Sequence, residues 1–357
     1  MHKVIKLLIT ISMIISCVLV CCNMVFASSY DSESSDDMPM SLQRDWQNNL
    51  LKEEHGAEGR KGKDGSWLGS KKTVFGIDTW IREQILGVVV QDTLEGMPDN
   101  AADLSAAGNG LVRGWLDENQ VLHIAGEGGV VAPADSSALF AHMANVRTID
   151  LRGLHTENTY NMSFFFYHCE KLETVNLEGI VTDNVTDLTR MFTRCFSLRS
   201  LDLSGFNTQN VGSFAAMFQY CRTLQELNLN SFCTENATSF WMMFRGCSNL
   251  KHIYWNPQLF VTDHVTKMSL MFYDCISLEY VDVSEFNLAS MEDMDSAFYN
   301  CRALKGIDTS KWNMSNVDDA AHLFGECASL VYIDSQGWNM KPTIDKEGIF
   351  TESGLEY

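Results

Sequence analysis

Seven cysteines stand at positions 169, 195, 221, 247, 275, 301 and 327, at steps of 26, 26, 26, 28, 26 and 26 residues. Thiols can pair as disulfides, hold zinc or take part in redox exchange. A regular ladder of odd count is not a disulfide framework. No Cys pair two to four residues apart recurs with a His partner, as zinc requires. Nothing nearby lowers a thiol pKa, as redox exchange requires. The column reads instead as small apolar residues in a tight place, because free Cys is among the most buried residue types. Other chemistry is equally absent. There is no G-x-S-x-G, H-E-x-x-H, P-loop or G-x-G-x-x-G, and the nine histidines share no column. A glycosidase pair is recognised by geometry and not by a count of 46 carboxylates. The expectation is a chain that is not an enzyme, with no cofactor and no metal.

The cysteines belong to a longer repeat that must position anything functional. Residues 185–203 read VTDLTRMFTRCFSLRSLDL, and residues 211–229 read VGSFAAMFQYCRTLQELNL. Self-similarity at a fixed period of this length signals a solenoid. Nine coils are centred on 143, 169, 195, 221, 247, 275, 301, 327 and 353, with Met143 and Ser353 standing in the cysteine column. The fold class expected is α/β: a leucine-rich-repeat solenoid of short parallel strands and short helices, nine coils of 26 residues, preceded by a small β cap. Leu201 and Leu203 fall on one face of a strand, since strand side chains alternate. Phe214, Met217, Phe218, Cys221 and Leu224 are spaced by three and four, which predicts a short one-sided helix. Helices would hold neighbouring coils roughly 8–10 Å apart on that side, too far for disulfides. Thr208 or Asn210 would cap the helix, and Asn207, Asn287, Asn313 and Asn339 would bond the backbone of the bend. Met191, Met217, Met243 and Met271 read as core filling. The one long step is expected to bulge at residues 255–259, around Pro257.

The domain reading is 1–27 signal peptide, 28–73 linker, 74–126 N-terminal β cap and 127–357 solenoid. Lys3 and Lys6 precede an apolar run over 7–20, and Val25-Phe26-Ala27 suits a cleavage site. The alternative is a lipobox ending at Cys17, which would make a lipoprotein. The linker is acidic and polar over 28–39, has a helical apolar spacing over 40–55, and is basic and Gly-rich over 56–72. The cap contains a β-branched run over 85–90 and a hairpin over 114–126. It would cover the otherwise bare first coil. The mature chain carries no membrane span, and its localisation reads as secreted or cell surface. A formal net charge of −20 argues against nucleic acid and anionic lipid as partners.

Function is then expected on the exposed strand face, among residues between the buried leucines. One column there holds Asp202, Asn228, Tyr254, Asp282, Asp308 and Asp334, and its companion holds His252, Tyr280 and Tyr332. Tyr and His are amphipathic contact residues, so His252, Tyr254, Tyr280 and Tyr332 are the sharper candidates. The acidic column could equally keep the face solvated and unaggregated.

The pattern M-x-x-M-F-x-x-C-x-x-L-x-x-L-x-L-S-x-F-N-T-x-N-V over 126–353 resembles the BspA-type leucine-rich-repeat surface proteins. The segment W-L-D-E-N-Q-V-L-H-I-A-G-E-G-G over 115–129 resembles the cap before such repeats. The resemblance implies a secreted or cell-surface protein used in adhesion or protein binding, its partner an extracellular protein or glycan of host matrix or cell surface. The family has no shared catalytic residues. Members often carry a C-terminal wall anchor. Nothing like LPxTG stands before Tyr357, so covalent wall attachment is not expected. The alternatives are a wall-associated structural component held through 40–72, or a hydrolase within 74–126.

Overall fold

The computed structural model describes residues 49–52 and 73–355. These belong to one compact unit, Trp46–Tyr357. The signal segment, Cys17, the acidic linker and the basic patch lie outside the described residues. Of the helix expected over 40–55, residues 49–52 are described, and they are extended. Leu50 bridges Val131 in parallel and Leu51 bridges Ser105 antiparallel. Burial of Leu51 against the sheet overrides the helical spacing.

The repeat is visible as stacked columns. Asp135, Asn161, Asp187, Ser213, Ser239, Lys267, Asp293, Asp319 and Asp345 are joined in sequence by parallel bridges. Inside them runs a stack of phenylalanine rings. Centroids of Phe192, Phe218, Phe244, Phe272, Phe298 and Phe324 follow one another at 5.9, 5.6, 5.2, 5.0 and 5.2 Å. The two-residue excess forms a turn at Asn256, whose carbonyl accepts from Leu259 N–H at 3.0 Å and Phe260 N–H at 2.8 Å.

The expected helices do not form. Among the described residues the helical element is a single 3-10 turn, Arg82–Gln84. The segment 214–221 is instead a chain of tight turns whose N–H groups alternate in direction. Met217, Gln219 and Cys221 donate three residues back, to Phe214, Ala216 and Phe218, at 3.0–3.1 Å. Phe214, Ala216, Phe218 and Tyr220 donate to the next coil, to Ser239, Trp241, Met243 and Arg245, at 2.7–3.2 Å. Ala216 and Tyr220 sit at φ 54° and 62°, the left-handed third position that a type II turn needs. Residues 190 and 194, 242 and 246, and 270 and 274 repeat the pair. Both the turn ribbon and a helix place apolar residues three and four apart, so spacing alone cannot separate them. Stacking does. A helix consumes its own N–H groups and needs roughly 8–10 Å of lateral room. The ribbon leaves half its N–H groups for the neighbouring coil, at a spacing close to that of paired strands.

Two expectations fall with the helices. Thr208 caps nothing: its buried hydroxyl donates to Cys233 O and accepts from Cys233 N–H, both at 2.9 Å. Thr182 does the same with Asn207, at 2.8 and 2.9 Å. Asn210 donates back to Asp183 O at 2.7 Å. Asn207, Asn287 and Asn313 each accept a main-chain N–H at the bend, at 3.0–3.1 Å. The distance argument against disulfides also falls, because coils approach far closer than helices would. What holds the thiols is a hydrogen bond: Cys195, Cys221 and Cys247 donate to the carbonyls of Phe166, Phe192 and Phe218 at 3.3, 3.3 and 3.0 Å. All seven column cysteines are buried. Burial pushes the Cys169 and Cys247 thiols up to about 12, and those of Cys195, Cys221 and Cys275 well above their usual value. Iodoacetamide is therefore expected to leave the column unmodified in native protein and to alkylate all seven in denatured protein, as read by mass. Rapid native modification of Cys195 or Cys221 would contradict this burial.

On the other face, strands pair in parallel in three couples: Thr148–Asp150 with Thr174–Asn176, Glu226–Leu229 with His252–Trp255, and Gly306–Asp308 with Tyr332–Asp334. The exposed strand face expected from the sequence is thus interrupted. Among the described residues, no main-chain hydrogen bond joins 200–203 or 280–283 to a neighbouring strand. The first couple continues into the N-terminal region. Gly87–Gln91 pairs in parallel with both Thr148–Asp150 and Val121–Ala125. Arg113–Leu116 forms the antiparallel hairpin with Val121–Ala125. Asp117 Oδ1 closes that turn by accepting from Asn119 and Val121 N–H at 2.9 and 2.8 Å.

Candidate functional site

The acidic and amide column of the strand face has a structural task. Asp202, Asn228, Asp282, Asp308 and Asp334 each accept the main-chain N–H two residues on, at 2.9–3.1 Å. This Asx turn closes each strand-side segment and sends the chain into the bend. The Ser204 hydroxyl and N–H hold Asp202 below its usual carboxylate range, and the Ser310 N–H and hydroxyl do the same for Asp308. One oxygen of each side chain is thus committed to the turn.

Tyr254 is the exception, and the two-residue insertion explains it. In that coil Asn256 takes over the turn, its Oδ1 accepting from Gln258 N–H at 3.0 Å. The column position passes to a tyrosine that has no turn to hold. Tyr254 is 47% exposed and lies in register with Asn228, while His252 lies in register with Glu226. His252 and Tyr254 stack, with centroids 6.2 Å apart.

The candidates fall into separate groups. Asn228 and Tyr254 line an open groove of about 810 Å³ together with Arg199, Glu226 and Glu173. Asp202 lines a smaller one of about 480 Å³ beside Val175, Asn176 and Leu177. Both grooves border the strandless residues 200–203. Asp308 and Asp334 are register partners, and Gly306 faces Tyr332. Tyr280 and Asp282 lie between these groups on 280–283. Burial, with Asp282 and Asp308 nearby, raises the Tyr280 phenol. Tyr280 and Tyr332 are 58% and 59% exposed.

Reading only two columns missed the one beside them. Arg147, Glu173 and Arg199 alternate in sign at steps of 26. Glu173 pairs with Arg147 at 2.7 Å and with Arg199 at 3.6 Å. Farther along, Lys305 pairs with Glu279 at 3.6 Å. Sign alternation at the repeat period was the signal that could have found it. Such exposed pairs contribute little stability, roughly 0–1 kcal/mol each, and they give the groove charge of both signs.

Among the described residues, no group of three or more His, Cys, Asp or Glu gathers as metal ligands. No described helix is long and apolar enough to cross a membrane. A family model described as "Mycoplasma protein of unknown function, DUF285" matches residues 134–256 and 253–355. The chain belongs to this family. The DUF285 matches span more than half of the chain and fall on the stacked coils, leaving 87–125 outside them. No curated protein matches the sequence. Three solved structures are similar at low identity. A leucine-rich repeat protein from Bacteroides ovatus is 17% identical, with 75% of this chain and 73% of that chain covered and a TM-score of 0.33. A leucine rich cell surface protein from Faecalibacterium prausnitzii is 13% identical, with 68% and 94% covered and a TM-score of 0.29. A leucine-rich repeat protein from Eubacterium ventriosum is 12% identical, with 69% and 94% covered and a TM-score of 0.28.

Proposed function

We propose that this chain is a nine-coil leucine-rich solenoid, exported by its first 27 residues, that binds an extracellular protein or glycan through its strand face. The observation that carries the reading is the exposure of Tyr254, Tyr280 and Tyr332 on a face whose Asp and Asn column is tied into turns. Exposed aromatic side chains, one of which (Tyr254) lines a groove of about 810 Å³, are what a binding face presents. Retention at the surface, by Cys17 lipidation or otherwise, belongs to the same proposal.

The test is a pull-down of host-matrix and cell-wall fractions with parent protein and with Tyr254→Ala/Tyr280→Ala. Capture of a defined component is expected, falling at least tenfold in the double variant, because interface aromatics dominate binding energy. Equal capture by both proteins would remove the strand face from the reading and favour the wall-associated structural alternative.

A further inference from the structure

The turn ribbon carries a second set of side chains that the strand-face reading does not use. It gathers four arginines within three coils: Arg194 and Arg222 are exposed, Arg245 is half-buried and Arg190 is buried. Elsewhere the described arginines of the coils are matched to carboxylates: Arg147 and Arg199 to Glu173, Arg152 to Asp150, Arg302 to Glu326. Among the described residues the four ribbon arginines form no ion pair, although the chain has 46 carboxylates against 26 basic residues.

The guanidinium groups of three of them, Arg190, Arg222 and Arg245, lie among aromatic rings. Arg222 stands 4.6 Å from the Phe196 centroid and 5.5 Å from that of Tyr220. Arg245 stands 5.9 Å from Tyr220 and 5.0 Å from Tyr273. Arg190 lies 5.7 Å from Phe164 and 5.6 Å from Trp241. Tyr273 stacks on Tyr299 at 5.0 Å, which extends the run to a further coil. One of these arginines is short of an acceptor: Arg245 Nε is buried with no hydrogen-bond partner, while its Nη1 meets only Met242 Sδ at 3.6 Å. Gly246 keeps the run open: the Tyr220 ring occupies the space where a Cβ would sit, its Cδ1 2.3 Å away. Beside it is a groove of about 330 Å³ lined by Tyr220, Arg222, Gly246, Asp274, Asn300 and Arg302. Its one carboxylate, Asp274, is engaged by Asn300 Nδ2 at 2.6 Å.

We infer that this turn-side ribbon is a second binding surface, and that its ligand is an acidic stretch of polypeptide. Guanidinium forks bind carboxylates in pairs of charge-assisted hydrogen bonds. Tyr273 stacks on Tyr299, and Phe196, Tyr220 and Tyr273 each have a guanidinium beside them. Guanidinium groups held in this way and not paired with carboxylates favour an anionic ligand. The strand face differs, with exposed tyrosines and a groove carrying charge of both signs, so the two surfaces take different partners.

The test is fluorescence anisotropy of fluorescein-labelled poly-L-glutamate titrated with the full chain. Saturable, salt-weakened binding is expected. Arg222→Gln/Arg245→Gln should weaken it at least tenfold, while Tyr254→Ala/Tyr280→Ala leaves it unchanged. If the arginine double variant fails to fold by circular dichroism, Arg222→Gln alone, at an exposed side chain, must still weaken binding about threefold. No binding of poly-L-glutamate, or equal binding by the folded arginine variants, overturns the inference. Tenfold tighter binding of heparin than of poly-L-glutamate overturns the assignment to polypeptide.

Discussion

Replacing Phe218 with alanine is expected to lower unfolding free energy by about 3–5 kcal/mol, the range for a large aromatic removed from a close-packed core. Phe218 is fully buried and stacks on Phe192 and Phe244 at 5.9 and 5.6 Å. Its carbonyl also accepts the Cys247 thiol proton at 3.0 Å. The neighbours cannot collapse into the void, because each coil is fixed by hydrogen bonds to the coil on either side. A stack of this kind gains stability from nearest-neighbour interfaces, so one weak interface divides it. Urea unfolding of Phe218→Ala should therefore show an earlier and broader transition, with coils on the two sides of 218 separating. Phe218→Leu keeps most of the volume and should cost roughly 1 kcal/mol. A loss below about 1 kcal/mol for the alanine variant would show that the ring stack does not carry the fold.

The repeat was legible because its letters are set by core contacts. A 26-residue period in Phe, Cys and Leu can arise only if each letter meets its own kind in the next coil. Local conformation was not legible where two structures share one apolar spacing. Phe214, Met217, Phe218 and Cys221 suit a helix and a turn ribbon equally, and the decision rests on hydrogen bonds between coils that no single coil contains. The left-handed residues that betray the ribbon, such as Arg190, Arg194 and Tyr220, carry side chains not selected for positive φ. Their strain is offset by the bonds their N–H groups make to the next coil, at 2.7–2.9 Å.

The same distinction separates the candidate residues. Asp202, Asn228 and Asp308 recur at the repeat period, and their recurrence proves to be the Asx turn. A uniform column is thus a mark of architecture. Departures from the column carry more functional information. Tyr254 departs because an insertion moved the turn to Asn256. Tyr280 and Tyr332 depart from the Thr and Ser of the first coils. On the ribbon the columns vary from coil to coil: Arg190 stands where neighbouring coils have Phe164 and Ala216, Trp241 where they have Ala215 and Ser269, and Arg245 where they have Gln219 and Tyr273.

Gly153→Ala is expected to detach the N-terminal sheet from the coils. Gly153 N–H donates to Val90 O at 3.2 Å, next to the seam where Gly87–Gln91 pairs with Thr148–Asp150. An alanine Cβ would lie 2.7 Å from Gln91 C, 2.8 Å from Val90 O and 2.9 Å from Gln91 Cα. All three are main-chain atoms, so no side chain can swing aside, and the strand itself must move. Overpacking of this kind costs about 1–3 kcal/mol, and the strained Val90 bond adds roughly 1 kcal/mol. The loss falls on one interface of a stack, so its signature is local. Amide exchange at Val88 and Val90 should speed up by a factor of ten or more. Exchange at Phe244 and Phe272, several coils away, should hardly change. Detachment would also bare the edge at Thr148–Asp150, and the variant should self-associate through it as its concentration rises. Parent-like exchange at Val88 and Val90 would mean that the seam accommodates a methyl group and that Gly153 does not set the approach of sheet and first coil.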